Sequence, residues 1–255
     1  MFYNHELNYV YNTNIQLGIP ENYGKHNQDL EKSVERLKKG KTYKDLSTVW
    51  VTPVPGNPGM VPAKVVFQSW MNLMTPMNQA VYKLPIMGME VGEAYNHALE
   101  TIFANPWMNK AKYMLTVEHD NLPPPDGLMK LYESIEDYDV VGGIYWTKGE
   151  GGQPMIYGDP KVMPRNYIPQ IPIPDTVQPC NGLGMGFTLF RLDMFKRIPK
   201  PWFKTVQEYN PITGSTALGT QDLYFFGKAA MEGFKFASDN RVKVGHLDIN
   251  TGEIW

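Results

Sequence analysis

From Ser47 to Trp146, short β-branched or aromatic runs alternate with helix-spaced segments, and this alternation restricts the fold more than any other feature of the chain. STVWVTPV reads as a strand that ends in the turn-forming VPGNPGMVP. AKVVFQSWMNLM follows as a helix, with Val65, Trp70 and Leu73 among its apolar positions. AVYKLPIMGM is a second strand, closed by Pro85 and Gly88. VGEAYNHALETIFANPW sets Val91, Ala94, Ala98 and Ile102 at helical spacing before Pro106. KYMLTVEHDN is a strand running into LPPPDG, LMKLYESIED is a helix, and YDVVGGIYW is a strand. Strands separated by helices pair in parallel, so the expected class is α/β with a mostly parallel central sheet flanked by helices.

The second half is less regular. Residues 160–179 hold six prolines, which predicts a long lid or wall without regular structure. NGLGMGFTLFRLDMFKRI then reads as a Gly-rich approach to a strand and a short helix. TQDLYFFGKAAMEGF is a helix with Thr220 as N-cap and Gly233 just past its end. FKFASDNRVKVGHLD is expected as two short strands around a Ser-Asp-Asn turn. Residues 1–46 differ in character and are expected to be an arm, with DLEKSVERLKKGKTYKDL as a short helix, ahead of a domain at 47–255. Seven Lys/Arg fall between Lys25 and Lys44, but acids are interleaved, which reads as a solvated surface.

Composition narrows the class further. In 255 residues there are 24 Lys+Arg against 26 Asp+Glu, a balance that argues against nucleic acid as the partner. The single cysteine, Cys180, permits no internal disulfide and points to a reducing compartment. MFYNHELNYV lacks the form of a leader, and no apolar run approaches the roughly 20 residues that span a bilayer. A cytoplasmic protein is expected.

The chemistry-bearing residues collect at predicted strand and helix ends. Glu118 and Asp120 close the strand YMLTVEHD, and residues two apart on a strand share a face. Two hard oxygen donors beyond the C-terminal edge of an α/β sheet suit Mg²⁺ or Mn²⁺. Spacing alone reads equally as two exposed acids before Pro123. His119, between them, should face the other way and pack. His246 shares parity with Val242 and Val244, which suits either a core histidine or a ligand. Asp222 lies in a helix's first turn, where the dipole alone favours an acid, but a carboxylate there could also serve as a base. There is no P-loop, no dinucleotide fingerprint, no G-x-S-x-G and no zinc-ligand spacing.

In order, VWVTPVPG, VGEAYNHAL, YMLTVEHDNLPPPDGLMKL, VVGGIYW with GLGMGFTLFRLDMFKRI, and TQDLYFFGKAAMEGFKFASDNRVKVGHL resemble the segments of GT-A glycosyltransferases of the family 2-like kind found in bacteria and phages. The likeness runs from Thr48 to about Asp248. It implies a single GT-A, Rossmann-like domain, located in a host cytoplasm if the protein is viral. It also implies transfer of a sugar from a UDP- or GDP-sugar to a glycan or other hydroxyl acceptor, with Mn²⁺ or Mg²⁺ as cofactor.

By the same resemblance, Asp120 would ligate the cation at the diphosphate, His246 would complete its coordination, and Glu118 would assist there or contact the ribose. Asp222 would deprotonate the acceptor in an inverting displacement. Thr52, Pro53 and Asn96 match nucleotide-contact positions, and Trp146, Gly184, Met185 and Gly186 match the acceptor side. Three positions depart from the family's pattern: Glu118 replaces the first Asp of Asp-x-Asp, Tyr95 the usual Arg, and Gln221 the usual Glu. The alternatives are a catalytically silent GT-A module that binds carbohydrate, or a nucleotide-sugar hydrolase. A nucleotidyltransferase is disfavoured because PGNPGM lacks a basic residue.

Overall fold

A computed structural model describes residues 44–56, 60–210 and 215–255. Residues 45–255 form one compact unit. The helix expected within 29–46 falls, up to residue 43, outside the described residues.

The predicted alternation is present. Strand β1 (Thr48–Val54) leads to helix α1 (Ala63–Gln68), then β2 (Val81–Met87) and α2 (Val91–Ala104). Next come β3 (Tyr113–Val117), the two-residue β4 (Asn121–Leu122), α3 (Gly127–Ser134) and β5 (Val140–Ile144). After these the chain makes β6 (Ile156–Tyr157), β7 (Val177–Cys180), β8 (Gly182–Leu183) and β9 (Phe187–Arg191). A separate hairpin, β10 (Val206–Asn210) with β11 (Ser215–Gly219), precedes α4 (Gln221–Met231). β12 (Phe236–Lys243) and β13 (Gly245–His246) close the fold.

The main sheet has seven strands in the order β2-β1-β3-β9-β5-β12-β7. β1 pairs in parallel with β2 and β3, and β5 with β12, while β9 and β7 run antiparallel to their neighbours. Five strands therefore point one way, and the mostly parallel sheet expected from the sequence is found. Alternation along β1 sends Val49 and Val51 into one core layer with Tyr95, Leu99 and Phe225, and Trp50 into the other with Leu128 and Leu131.

Three local expectations are corrected. β2 runs through Pro85, which pairs with Thr52. This is tolerated because β2 is an edge strand, where a missing N–H breaks no second ladder. The proline-rich stretch is not wholly irregular, since Val177–Cys180 forms the opposite edge. Ser238-Asp239-Asn240 is no turn but lies buried within β12. Its polar groups have partners that make burial tolerable: Ser134 Oγ donates to Asp239 at 2.6 Å, Arg241 donates at 2.8 and 2.9 Å, and Asn240 Nδ2 donates to Ile173 O and Gln178 Oε1. The register shift falls just beyond Asp239 as a bulge.

Candidate active site

The C-terminal ends of the five parallel strands share one edge, and the segments leaving that edge carry nearly every predicted site residue. Glu118-His119-Asp120 follows β3, Trp146-Thr147-Lys148 follows β5, and His246 follows β12. β9 runs the other way, so its entry segment, Gly184–Gly186, reaches the same edge; Glu118 N–H donates to Gly186 O at 3.1 Å. β13 pairs with β4, and Leu247 N–H donates to Asp120 O at 2.8 Å, which fixes His246 beside Asp120.

A cavity of about 170 Å³ at this edge is lined by Pro53, Pro55, Met89, Val91, Glu118, His119 and Asp120. A larger groove of about 660 Å³ lies at Phe103, Phe195 and Trp202. Its Lys200 and Glu100 are paired at 3.0 Å and it takes none of the strand-end acids, so size does not make it the better candidate. His119 belongs to the first cavity and is not turned away from it. The physical reason is that β3 ends at Val117, and the two-residue alternation ends with it.

Asp120 is buried and held ionised. Its Oδ2 accepts from Lys148 Nζ at 2.5 Å and lies 3.6 Å from His246 Nε2. Burial alone would raise its pKa, but the adjacent His246 and Lys148 outweigh that and hold it well below the ordinary carboxylate range. His246 Nδ1 lies 2.7 Å from Trp146 O. A carbonyl can only accept, so His246 Nδ1 donates to Trp146 O, which leaves Nε2 as the ring nitrogen that faces Asp120. That is the usual outer support of a metal-ligating histidine.

Glu118 sits in the opposite electrostatic state. Burial, then Asp120 and Asp222, push it from 4.5 up to about 8, although Tyr95 Oη donates to its Oε1 at 3.1 Å. Asp222 is buried at the start of α4 and raised by that burial. The helix is anchored by Phe225 and Phe226, each fully buried and worth about 1.5–3 kcal/mol. Thr220 occupies the N-cap position, but its hydroxyl bonds the Asp222 carboxylate rather than the backbone. Leu223 N–H donates to the same oxygen at 2.9 Å. Tyr157 is raised to about 12 by burial and by Asp222, and burial also raises Tyr145 and Tyr95 well above the ordinary phenol value, so these phenols remain neutral.

Several predicted contacts stand elsewhere. Thr52 and Pro53 face opposite sides of β1: Pro53 lines the cavity with Asp120, whereas Thr52 lines a second cavity with Trp50, Trp70 and Lys83 and accepts from Trp50 Nε1 at 2.9 Å. Asn96 clamps the 202–203 segment, donating to Gly92 O and Phe203 O and accepting from the N–H groups of Trp202 and Phe203. Gly184 and Gly186 make room for Tyr145 rather than for open space, since a Cβ at either would strike its ring or hydroxyl. Tyr145 Oη accepts from Gly186 N–H at 2.9 Å. Met185 is buried, and its carbonyl accepts from Thr116 Oγ1. Trp146 is 38% exposed and free of the core. The 160–179 stretch is pinned by Asn181 Nδ2 on Asn166 O and packs Tyr167 near Gly182 and Gly227, on the α4 side.

Lys148 went unremarked in the sequence. TKGEGG looks like any polar turn, and its link to Asp120 spans 28 positions.

No protein-family model matches the sequence, and no curated protein does. Solved structures do match. A197 from STIV superposes with a TM-score of 0.56 at 18% identity, covering 82% of this chain and 92% of that one. GalNAc-T7, solved with UDP, GalNAc and Mn²⁺, superposes with a TM-score of 0.53 at 10% identity over 81% of this chain. The fold is GT-A. The present chain spans 45% of the GalNAc-T7 chain, and identities this low speak for the fold alone.

Within that GT-A frame the strand-end donor set bears on whether a divalent cation fits. Among the described residues no three His, Cys, Asp or Glu side chains are grouped to hold a metal by themselves. Asp120 Oδ2 and His246 Nε2 do converge, 3.6 Å apart, and the Nδ1 bond to Trp146 O leaves Nε2 as the ring nitrogen available for ligation. Two protein ligands suit a cation that takes its remaining ligands from phosphate and water. The donor set fits such an ion. No helix among the described residues is long and apolar enough to cross a membrane.

Proposed function

We propose that the protein is a glycosyltransferase that moves a sugar from a nucleoside-diphosphate sugar to an acceptor hydroxyl, with inversion at the anomeric carbon. The observation that carries this reading is the pairing of opposite electrostatic states at one sheet edge. An ionised Asp120 faces His246 Nε2, and a buried Asp222 with a raised pKa lies within electrostatic reach of Glu118.

Asp120 and His246 would hold Mn²⁺ or Mg²⁺, which supplies charge neutralisation at the departing diphosphate. Pro53 and Pro55 border the same cavity and form a wall for the nucleotide. The acceptor oxygen attacks the anomeric carbon. The bond from that carbon to the β-phosphate oxygen breaks, and its electrons leave with the nucleoside diphosphate. Asp222 takes the hydroxyl proton, and its raised pKa brings it closer to the value that suits a base near neutral pH. Trp146, exposed beside His246, offers a stacking face to a sugar. The near-neutral charge favours a glycan or other hydroxyl acceptor over nucleic acid.

The test is a set of UDP- and GDP-sugars screened by thermal shift with and without Mn²⁺, followed by product analysis with candidate acceptors. Stabilisation by one nucleotide sugar and acceptor-dependent transfer supports the reading. Hydrolysis without an acceptor replaces it with a hydrolase, and binding without turnover replaces it with a silent carbohydrate-binding module.

A further inference from the structure

Lys148 stands where two parts of the site meet. Trp146 O holds His246 Nδ1, and two residues later Lys148 Nζ holds Asp120 Oδ2 at 2.5 Å. The lysine is carried on a tight turn. Thr147 N–H donates to Gln153 O, Gln153 N–H returns to Thr147 Oγ1, and Gly149 and Gly151 take φ of 91° and 76°. The ammonium therefore rests on the same carboxylate oxygen that faces His246 Nε2. An ammonium and a divalent cation cannot share one oxygen without strong repulsion at such range. Lysine's long stem and three donors make it able to move a few ångströms to another anion, and its side chain is 30% exposed. The anion that would arrive with a divalent cation at this edge is a diphosphate, whose oxygens accept from ammonium groups.

We propose that Lys148 is a diphosphate-binding residue that occupies Asp120 in the free protein and passes to the donor's diphosphate when a divalent cation takes the Asp120–His246 position. The proposal rests on the glycosyl-transfer reading above. It gives the free site a neutral pair in place of a bare buried carboxylate, and it makes the cation and the nucleotide arrive together.

The experiment uses the full chain and two binding readouts, neither of which is turnover. Free Mn²⁺ is followed by electron paramagnetic resonance without nucleotide, and UDP or GDP binding is followed by calorimetry at saturating Mn²⁺. Lys148→Met should bind Mn²⁺ alone about fivefold tighter or more, and bind nucleotide about fivefold weaker or more. These opposite shifts are not what loss of a structural ion pair produces. Lys148→Arg, which keeps the charge, should stay near wild type for Mn²⁺ alone, and it guards against a folding defect in the methionine variant. A smaller change in either affinity for Lys148→Met, or an arginine variant that behaves like it, overturns the assignment. If wild type binds nucleotide with Mn²⁺ but Lys148→Met matches it, only the Lys148 role falls. If no nucleotide binds under any condition, the transferase reading falls and this proposal with it.

Discussion

Asp120 and Glu118 leave the same strand two residues apart, yet their surroundings drive them to opposite states. Asp120 meets an ammonium, two imidazoles and a short link to β13, and is held ionised. Glu118 meets a neutral phenol and two other carboxylates, and is pushed up to about 8. Asp222, within electrostatic reach of Glu118, is also raised, but by its own burial. The difference teaches that one strand end can supply both an anchor for a cation and a proton-accepting zone, because charge partners are placed on one side only.

The largest expected effect comes from removing the proposed base, Asp222. Asp222→Asn should lower transfer by about 10²–10⁴-fold while leaving nucleotide affinity within about twofold. Full activity in that variant would assign the base elsewhere and remove one half of the contrast.

Next in size is Asn96, whose amide ties α2 to the 202–203 segment and should serve stability rather than nucleotide binding. Asn96→Ala should cost about 1–3 kcal/mol in urea unfolding with nucleotide affinity little changed. A large loss of nucleotide affinity at unaltered stability would restore its predicted contact role.

The smallest effect sharpens the contrast itself. Glu118 has a folded value of about 8 against an ordinary 4.5. As pH rises through that window the unfolded chain ionises while the folded one does not, so native stability falls and then levels off above it. Glu118→Gln removes this loss. In EDTA its melting temperature should gain on wild type steadily as pH rises from roughly 5 to 8, by about 2–4 °C for each kcal/mol of that loss removed. A difference that stays constant over that range would show an ordinary Glu118.

Much of the fold was legible because β-branched runs and helical spacing are local signals, and β1, β2, β3 and β5 formed where they pointed. Asp120 and His246 could be placed at strand ends, although not at 3.6 Å from each other. What stayed hidden depends on distant partners. Ser238-Asp239-Asn240 looks like a turn until Ser134 and Gln178 supply hydrogen bonds from elsewhere in the chain. Gly184 and Gly186 suggest open backbone until Tyr145 fills the space. His119 lines the cavity because strand alternation ends at Val117, two residues before it.

The central claim is that Asp120 anchors a cation on which nucleotide binding depends. Titrating UDP and GDP into wild type and Asp120→Asn, with and without Mn²⁺, tests it most directly. The account predicts that Mn²⁺ tightens binding to wild type by about tenfold or more and leaves Asp120→Asn unchanged. Equal tightening in both proteins would contradict it.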